Sequence, residues 1–191
     1  DLRYNQFLKA IGTAGEPRLK ESAGLIKKLR EQSGIVSRYN QVIKEQSIKC
    51  RVTHHDTKIS NVLFDAHDKG LCVIDLDTVM PGYFISDLGD MMRTYLSPVS
   101  EEESDLGKIV IRDHFYRAIV EGYYSEMQKV MTSAEKQYIF YAGQFMIYMQ
   151  AIRFLTDHLN GDIYYGAKYP GHNFKRAMNQ SVLLERYMEK E

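Results

Sequence analysis

Tryptophan is absent from this 191-residue chain, and cysteine and proline are scarce, at two and four. Two cysteines, Cys50 and Cys72, cannot build the disulfide framework of a small secreted domain. They read instead as small buried hydrophobes in a reducing compartment. No stretch approaches the roughly 18 consecutive apolar residues that a membrane-spanning helix needs. The opening Asp1-Leu2-Arg3-Tyr4-Asn5 has no signal-peptide core. These absences together lead us to expect a cytoplasmic protein with no membrane partner. Net charge is absent too, because Lys+Arg and Asp+Glu both count 25. A polyanion such as nucleic acid is therefore not the expected partner, since phosphate-backbone binding needs a basic surplus. No repeat, low-complexity tract or Pro/Gly-rich linker divides the chain. What is present is 14 tyrosines, 8 phenylalanines and 44% apolar residues, enough to bury one substantial core.

Periodicity divides the chain into three parts. Residues 1–50 carry Leu25, Ile26, Leu29, Ile35, Val36, Tyr39, Val42 and Ile43 at three and four spacings, the pattern of helices, with a break at Gly34. Residues 51–80 change character. Val62-Leu63-Phe64 and Leu71-Cys72-Val73-Ile74 flank the polar Asp65-Ala66-His67-Asp68-Lys69-Gly70, which reads as a β-hairpin. The second run shows no alternation, so both of its faces are expected to be buried. It ends in Asp75-Leu76-Asp77. Residues 86–191 are helical again. Capping boxes are expected at Ser100/Glu103 and Thr132/Glu135, the second ahead of a long apolar segment, Ile139 to Leu155. Pro170-Gly171 breaks the chain before a final helix around Phe174–Tyr187. The expected fold is mostly α with a small β hairpin holding the densest polar chemistry.

That chemistry begins at Thr53-His54-His55-Asp56-Thr57-Lys58-Ile59-Ser60-Asn61. A His-x-Asp followed by Asn five residues after the Asp has the spacing of a kinase catalytic loop. Phosphoryl transfer needs a carboxylate to orient the acceptor hydroxyl and take its proton, and an oxygen ligand for Mg²⁺ at a fixed distance. Asp56 suits the first role and Asn61 the second. Asp75, closing the second hairpin strand, is the carboxylate that a hard cation on two phosphates would want. The hairpin should bring Asn61 and Asp75 together. Each residue alone has an ordinary reading as a turn, cap or strand-edge residue. Their conjunction points to phosphotransfer.

On these residues the sequence resembles the C-terminal lobe of the protein-kinase-like phosphotransferases, in the aminoglycoside phosphotransferase and choline kinase group. No Asp-Phe-Gly or Ala-Pro-Glu is present, which sets it apart from protein kinases. Thr53 to Lys58, Val73 to Gly82, Ser86 to Arg93 and Arg153 to Tyr165 are similar to segments of the N-acetylhexosamine 1-kinases. The resemblance implies ATP and Mg²⁺ as cofactors and a small-molecule acceptor, most closely a sugar. It implies Asp56 as catalytic carboxylate, with Lys58 near the transferring phosphate, the alternative for Lys58 being an ordinary surface Lys. Asn61 and Asp75 would hold the metal, with Asp77 as an aid to metal or substrate. Arg153 and Tyr164 would contact the acceptor, and His54 and Asp87 would brace the catalytic loop. Arg153 has an alternative as an internal salt bridge to Asp157, and Tyr164 as a packing aromatic. His55 is expected to be an exposed loop residue, and His67, His114, His158 and His172 surface or helix residues.

The pattern departs from a complete kinase in one respect. No strand-borne Lys, covering loop or paired Glu precedes residue 50, and the chain begins with Asp rather than Met. The expectation is a single C-lobe, residues 1–191, whose nucleotide-binding lobe belongs elsewhere in the same protein. Such a piece alone would bind ATP weakly and turn over little. Other acceptors remain open: choline, homoserine or an aminoglycoside. A noncatalytic binding module is the reading from a different class. His55-Asp56 is also the dyad of all-α HD phosphohydrolases, but those need an upstream His and place the dyad on a helix. Here no His precedes His54 and the dyad leads into a strand.

Overall fold

The three and four spacings of the first fifty residues become three helices: α1 (Leu2–Thr13), α2 (Glu16–Glu31) and α3 (Gly34–Lys44). The structure is a computed structural model and describes residues 2–190. Pro17 sits in the first turn of α2, where its missing N–H costs nothing. Glu16 at that end, with Lys28 and Arg30 in the last turn, complements the helix dipole. Leu25, Ile26 and Leu29 form the buried face of α2.

Four short strands follow: β1 (Arg51–Thr53), β2 (Val62–Phe64), β3 (Gly70–Val73) and β4 (Met80–Gly82). β2 and β3 form the expected antiparallel hairpin, with Val62 opposite Val73 and Leu63 opposite Cys72. β1 and β4 form a second antiparallel pair, with Val52 opposite Pro81. The sequence did not reveal this pair, because Met80-Pro81-Gly82 lacks a strand's composition. Its consequence is large: β1–β4 clasps the base of residues 54–79, so the catalytic loop and the Asp75 segment leave from one anchor.

The expected burial of the hairpin is corrected. Leu71 is 62% exposed and Val73 52%. An apolar run states a need for cover without stating what supplies it, and here the described elements leave the hairpin open. The cysteines are corrected with it, since both Cys50 and Cys72 are exposed.

The remainder is helical: α4 (Phe84–Tyr95), α5 (Asp113–Met127), α6 (Ser133–Gln137), α7 (Ile139–Leu159) and α8 (His172–Met188). Gly171, in the left-handed region, precedes α8 at the expected break. The Thr132/Glu135 capping box forms, but it opens the five-residue α6, and Tyr138 separates α6 from α7. No helix starts at Ser100. The Glu103 carboxylate there accepts from the backbone N–H of Asp105, two residues on, so the capping box expected at Ser100/Glu103 is a loop turn.

α7 is apolar around its circumference and forms the axis of the core, packed against α1, α4 and α8. Its tyrosine hydroxyls stay satisfied: Tyr148 donates to the Leu29 carbonyl at 2.8 Å and Tyr141 to the Ile35 carbonyl at 2.6 Å. Gly89 lets α4 approach α7 closely, since a Cβ there would collide with the Ala142 carbonyl and Met146. Gly89→Ala, normally stabilising in a helix, is therefore expected to cost about 1–3 kcal/mol by overpacking. Urea denaturation measures it, and an unchanged midpoint would show that the two helices can part. His158 and His172 lie on helices but are buried, not at the surface. No described helix is long and apolar enough to cross a membrane.

Candidate active site

The loop from Thr53 to Asn61 is fixed from below by α4. The Asp87 carboxylate accepts from the backbone N–H of His54 at 2.9 Å and of His55 at 2.8 Å. Thr57 Oγ1 donates to the Asp87 carbonyl at 2.8 Å, and Tyr95 donates to the Thr57 carbonyl. Burial pushes the Tyr95 phenol up to about 12, so it stays protonated as a donor. His54 ties the loop to the Asp75 segment: its Nε2 lies 3.0 Å from the Ile74 carbonyl, and its Nδ1 accepts from the Asp56 N–H at 3.3 Å. The first contact makes Nε2 the protonated nitrogen. Thr78 Oγ1 donates to the His54 carbonyl at 2.6 Å. His54 and Asp87 thus brace the loop geometrically.

His55 is not the exposed loop residue expected. Its ring nitrogens contact Thr53 Oγ1 at 2.7 Å and Ser86 Oγ at 2.6 Å, and its backbone takes a positive φ of 67°. A non-glycine residue in the left-handed region is held there by its surroundings, and here three partners hold it. With both nitrogens engaged, His55 has none for a metal, which removes the HD-phosphohydrolase reading.

The loop delivers a small cluster. Lys58 Nζ lies 2.6 Å from Asp56 Oδ2 and 3.9 Å from Asp75 Oδ2. The Asp56 hydrogen bond, with a smaller contribution from the Asp75 charge, raises the Lys58 pKa against the cost of burial. Asn61 Nδ2 donates to both the Asp56 carbonyl and Asp56 Oδ2 at 2.9 Å. Two acceptors on the nitrogen fix the amide's orientation and leave Oδ1 with no donor among the described residues. The Ile74 N–H donates to the Asn61 carbonyl at 2.9 Å, so the hairpin does bring Asn61 beside the Asp75 segment. Asp75 itself takes φ 61°, a conformation that Asp tolerates.

The donor set suits a hard cation. Asn61 Oδ1 and the half-exposed Asp75 carboxylate are oxygen ligands, and Lys58 already places a positive charge between Asp56 and Asp75. No group of three or more His, Cys, Asp or Glu that could hold a metal occurs among the described residues. A cation here would therefore take further ligands from bound phosphates, as Mg²⁺ commonly does. Asp77 is exposed on the 3₁₀ turn Leu76–Thr78, and no hydrogen bond or ion pair joins it to the cluster among the described residues.

Sequence reasoning missed the support behind this cluster. Arg93 pairs with Asp90 at 2.9 Å and with Glu101 at 2.7 Å, and Glu101 also pairs with Arg176. Burial raises the Asp90 pKa against the opposing pull of Arg93. Asp90 and Arg93 are three apart on α4, a legible helical pair, but their link to the 101 loop depends on tertiary structure.

Arg153 and Tyr164 lie elsewhere. They line a cleft of about 380 Å³ between α1 and the end of α7, with Arg3, Lys9 and Tyr165 also on its walls. Asp56, Lys58, Asn61 and Asp75 are not among its lining residues. Arg153 makes no salt bridge to Asp157. It donates to Gln150 Oε1 at 3.1 Å and faces the Tyr165 ring. Asp157 instead accepts from the Tyr164 and Tyr165 N–H groups and from Asn173. Tyr164 is 68% exposed, with its ring in an edge contact with Tyr165.

Residues 18–129 match the phosphotransferase enzyme family, APH, a span that contains the whole loop–hairpin cluster and stops short of Arg153 and Tyr164. That match covers more than half of the sequence, and it agrees with a mostly helical lobe carrying two small antiparallel sheets. The chain belongs to the phosphotransferase enzyme family.

Proposed function

We propose that this chain carries the catalytic lobe of an ATP- and Mg²⁺-dependent small-molecule kinase. The observation that supports it most is the Asp56–Lys58–Asn61–Asp75 cluster, held on one clasp of strands. Asp56 orients the acceptor hydroxyl and accepts its proton. Lys58 sits between two carboxylates, where it meets the transferring phosphate. Asn61 and Asp75 would hold the metal, with Asp77 close in sequence as an aid, and the ion would neutralise charge on the phosphates. Positioning and electrostatics supply most of the rate.

Asp87 acts through the loop. Asp87→Ala frees the His54 and His55 N–H groups, and a displacement of the order of 1 Å at Asp56 would cost about 10²-fold in kcat. Steady-state kinetics check it, and an unchanged kcat would show that the loop holds itself.

The acceptor is, in this reading, a sugar taking phosphate on its anomeric hydroxyl, an N-acetylhexosamine or a relative. Arg153 and Tyr164 offer the guanidinium, phenol and aromatic surface that sugars use. Arg3, Lys9 and Arg153 make the cleft basic, which disfavours choline and the polycationic aminoglycosides. Arg153→Met is expected to raise KM for N-acetylglucosamine by about tenfold with kcat little changed. An unchanged KM would move the acceptor out of this cleft.

The open hairpin supports a missing lobe. Leu63, Phe64, Leu71, Val73, Val52 and Met80 are exposed around the cluster's strands. A further part of the same protein, carrying the nucleotide's adenine pocket, covers them in the active enzyme.

A further inference from the structure

A second, smaller pocket of about 220 Å³ lies beside the cluster, between α4, the 97–101 loop and α8. Lys58, whose ammonium touches Asp56, forms one wall; Arg93, Glu101 and Gln180 form others. Gln180 is 2% exposed, and its Oε1 is buried with no hydrogen-bond donor.

The orientation of that amide is fixed by its neighbours. Asn179 Nδ2 donates to the Ser100 carbonyl at 3.1 Å and the Glu103 carbonyl at 3.0 Å, so Asn179 Oδ1 must be an acceptor. Gln180 Nε2 donates to that oxygen at 3.1 Å. Gln180 Oε1 is then the acceptor left without a donor, and a flip would set two oxygens against each other. Buried acceptors are nearly always satisfied, so this one calls for a donor from outside the chain.

Charge in the pocket is balanced. Both oxygens of Glu101 are engaged by Arg93 and Arg176, and Lys58 is engaged by Asp56. A cationic ligand finds no free carboxylate here. The volume equals about seven water molecules at ~30 Å³ each, less than a whole drug-like site and enough for a hydroxylated ring or arm.

We propose that this pocket is a subsite for a neutral, hydroxyl-bearing part of the acceptor, which donates a hydrogen bond to Gln180 Oε1, and that Gln180 is a specificity-determining residue. The inference rests on Asp56 being the site of phosphoryl transfer, but not on Arg153 or Tyr164.

Isothermal titration of the chain with N-acetylglucosamine, N-acetylgalactosamine, glucose and choline tests it without turnover. At least one neutral sugar should bind, with affinity reduced tenfold or more by Gln180→Met. Val99→Phe fills the pocket from its loop while leaving the Gln180 side chain itself intact, and should weaken the same ligand equally. Circular dichroism confirms that both variants fold. Sugar binding that survives both substitutions overturns the subsite while leaving the kinase reading intact. Binding of choline alone, or of none of the four, overturns the neutral-ligand proposal. Loss of phosphotransfer in Asp56→Asn with the sugar still bound keeps the two questions separate.

Discussion

Asp56→Asn is expected to lower phosphoryl transfer by about 10²–10⁴-fold. Asparagine keeps the shape of the side chain and can still accept from Asn61 Nδ2, so the loop should hold its place. What it loses is the negative charge and the capacity to take a proton. Its ion pair with Lys58 is partly exposed, at 26% and 40% side-chain exposure, so its loss contributes little to stability. The melting temperature should therefore move by no more than about 2 °C while kcat collapses. That split separates chemistry from folding. Near-normal transfer by the variant would remove Asp56 from the mechanism.

The largest expected effect on stability lies at Glu135, far from the chemistry in sequence but joined to the catalytic clasp. Glu135 is fully buried. It accepts from Arg51 Nη1 at 2.5 Å and Nη2 at 2.9 Å, from the Lys49 N–H at 2.8 Å, and from the Thr132 N–H at 2.7 Å. Arg51 begins β1, so one carboxylate ties α6 to the strand that leads into the catalytic loop. Glu135→Ala leaves the guanidinium without its carboxylate, with only the Lys49 and Val130 carbonyls as partners, and removes the capping box. The expected cost is about 3–5 kcal/mol, or roughly 10 °C in Tm for a domain of this size. Thermal unfolding measures it; a loss below about 1 kcal/mol would mean that Arg51 finds other partners.

The same site sets an acid limit. Burial alone would raise the Glu135 pKa, but the Arg51 hydrogen bond, the backbone donors and the Arg51 charge outweigh it and bring it down from 4.5 to about 2. A folded-state value below the unfolded one means that the stabilisation is complete above about pH 4.5. It is lost as pH falls from there towards 2. Wild-type stability should fall across that window, and Glu135→Ala should fall less steeply. Parallel curves would place the acid sensitivity elsewhere.

The cluster was legible because its spacing is local. Asp56 and Asn61 lie on one loop, and the polar turn between two apolar runs fixed the hairpin that brings Asp75 near. Helices were legible where periodicity was strong, as in α2, α3 and α8, or where the apolar segment was long, as in α7. The clasp of β1 and β4 was hidden because Pro81 and Gly82 do not look like a strand, and its pairing spans the whole catalytic segment. Exposure of Leu71, Val73 and Cys72 was hidden because a run of apolar residues reports composition, not contact. Ser100 and Glu103 matched a capping box without a helix to cap. His55 looked like a loose loop residue because Thr53, Ser86 and Asp87 become its partners only after folding. Arg153 and Tyr164 carried a pattern, yet the structure sets them in a cleft separate from the Asp56 cluster's own walls.

The central claim is that this lobe transfers phosphate from ATP to a small-molecule hydroxyl through Asp56. Its most direct test uses the parent reading frame with any upstream sequence included. Phosphorus NMR would follow Mg·ATP in the presence of N-acetylglucosamine, N-acetylgalactosamine, choline, homoserine or an aminoglycoside. The account predicts ADP together with a new phosphate-ester signal that depends on one acceptor, places the phosphate on its hydroxyl, and vanishes in Asp56→Asn. No ester with any acceptor, or an ester that persists in Asp56→Asn, would contradict it.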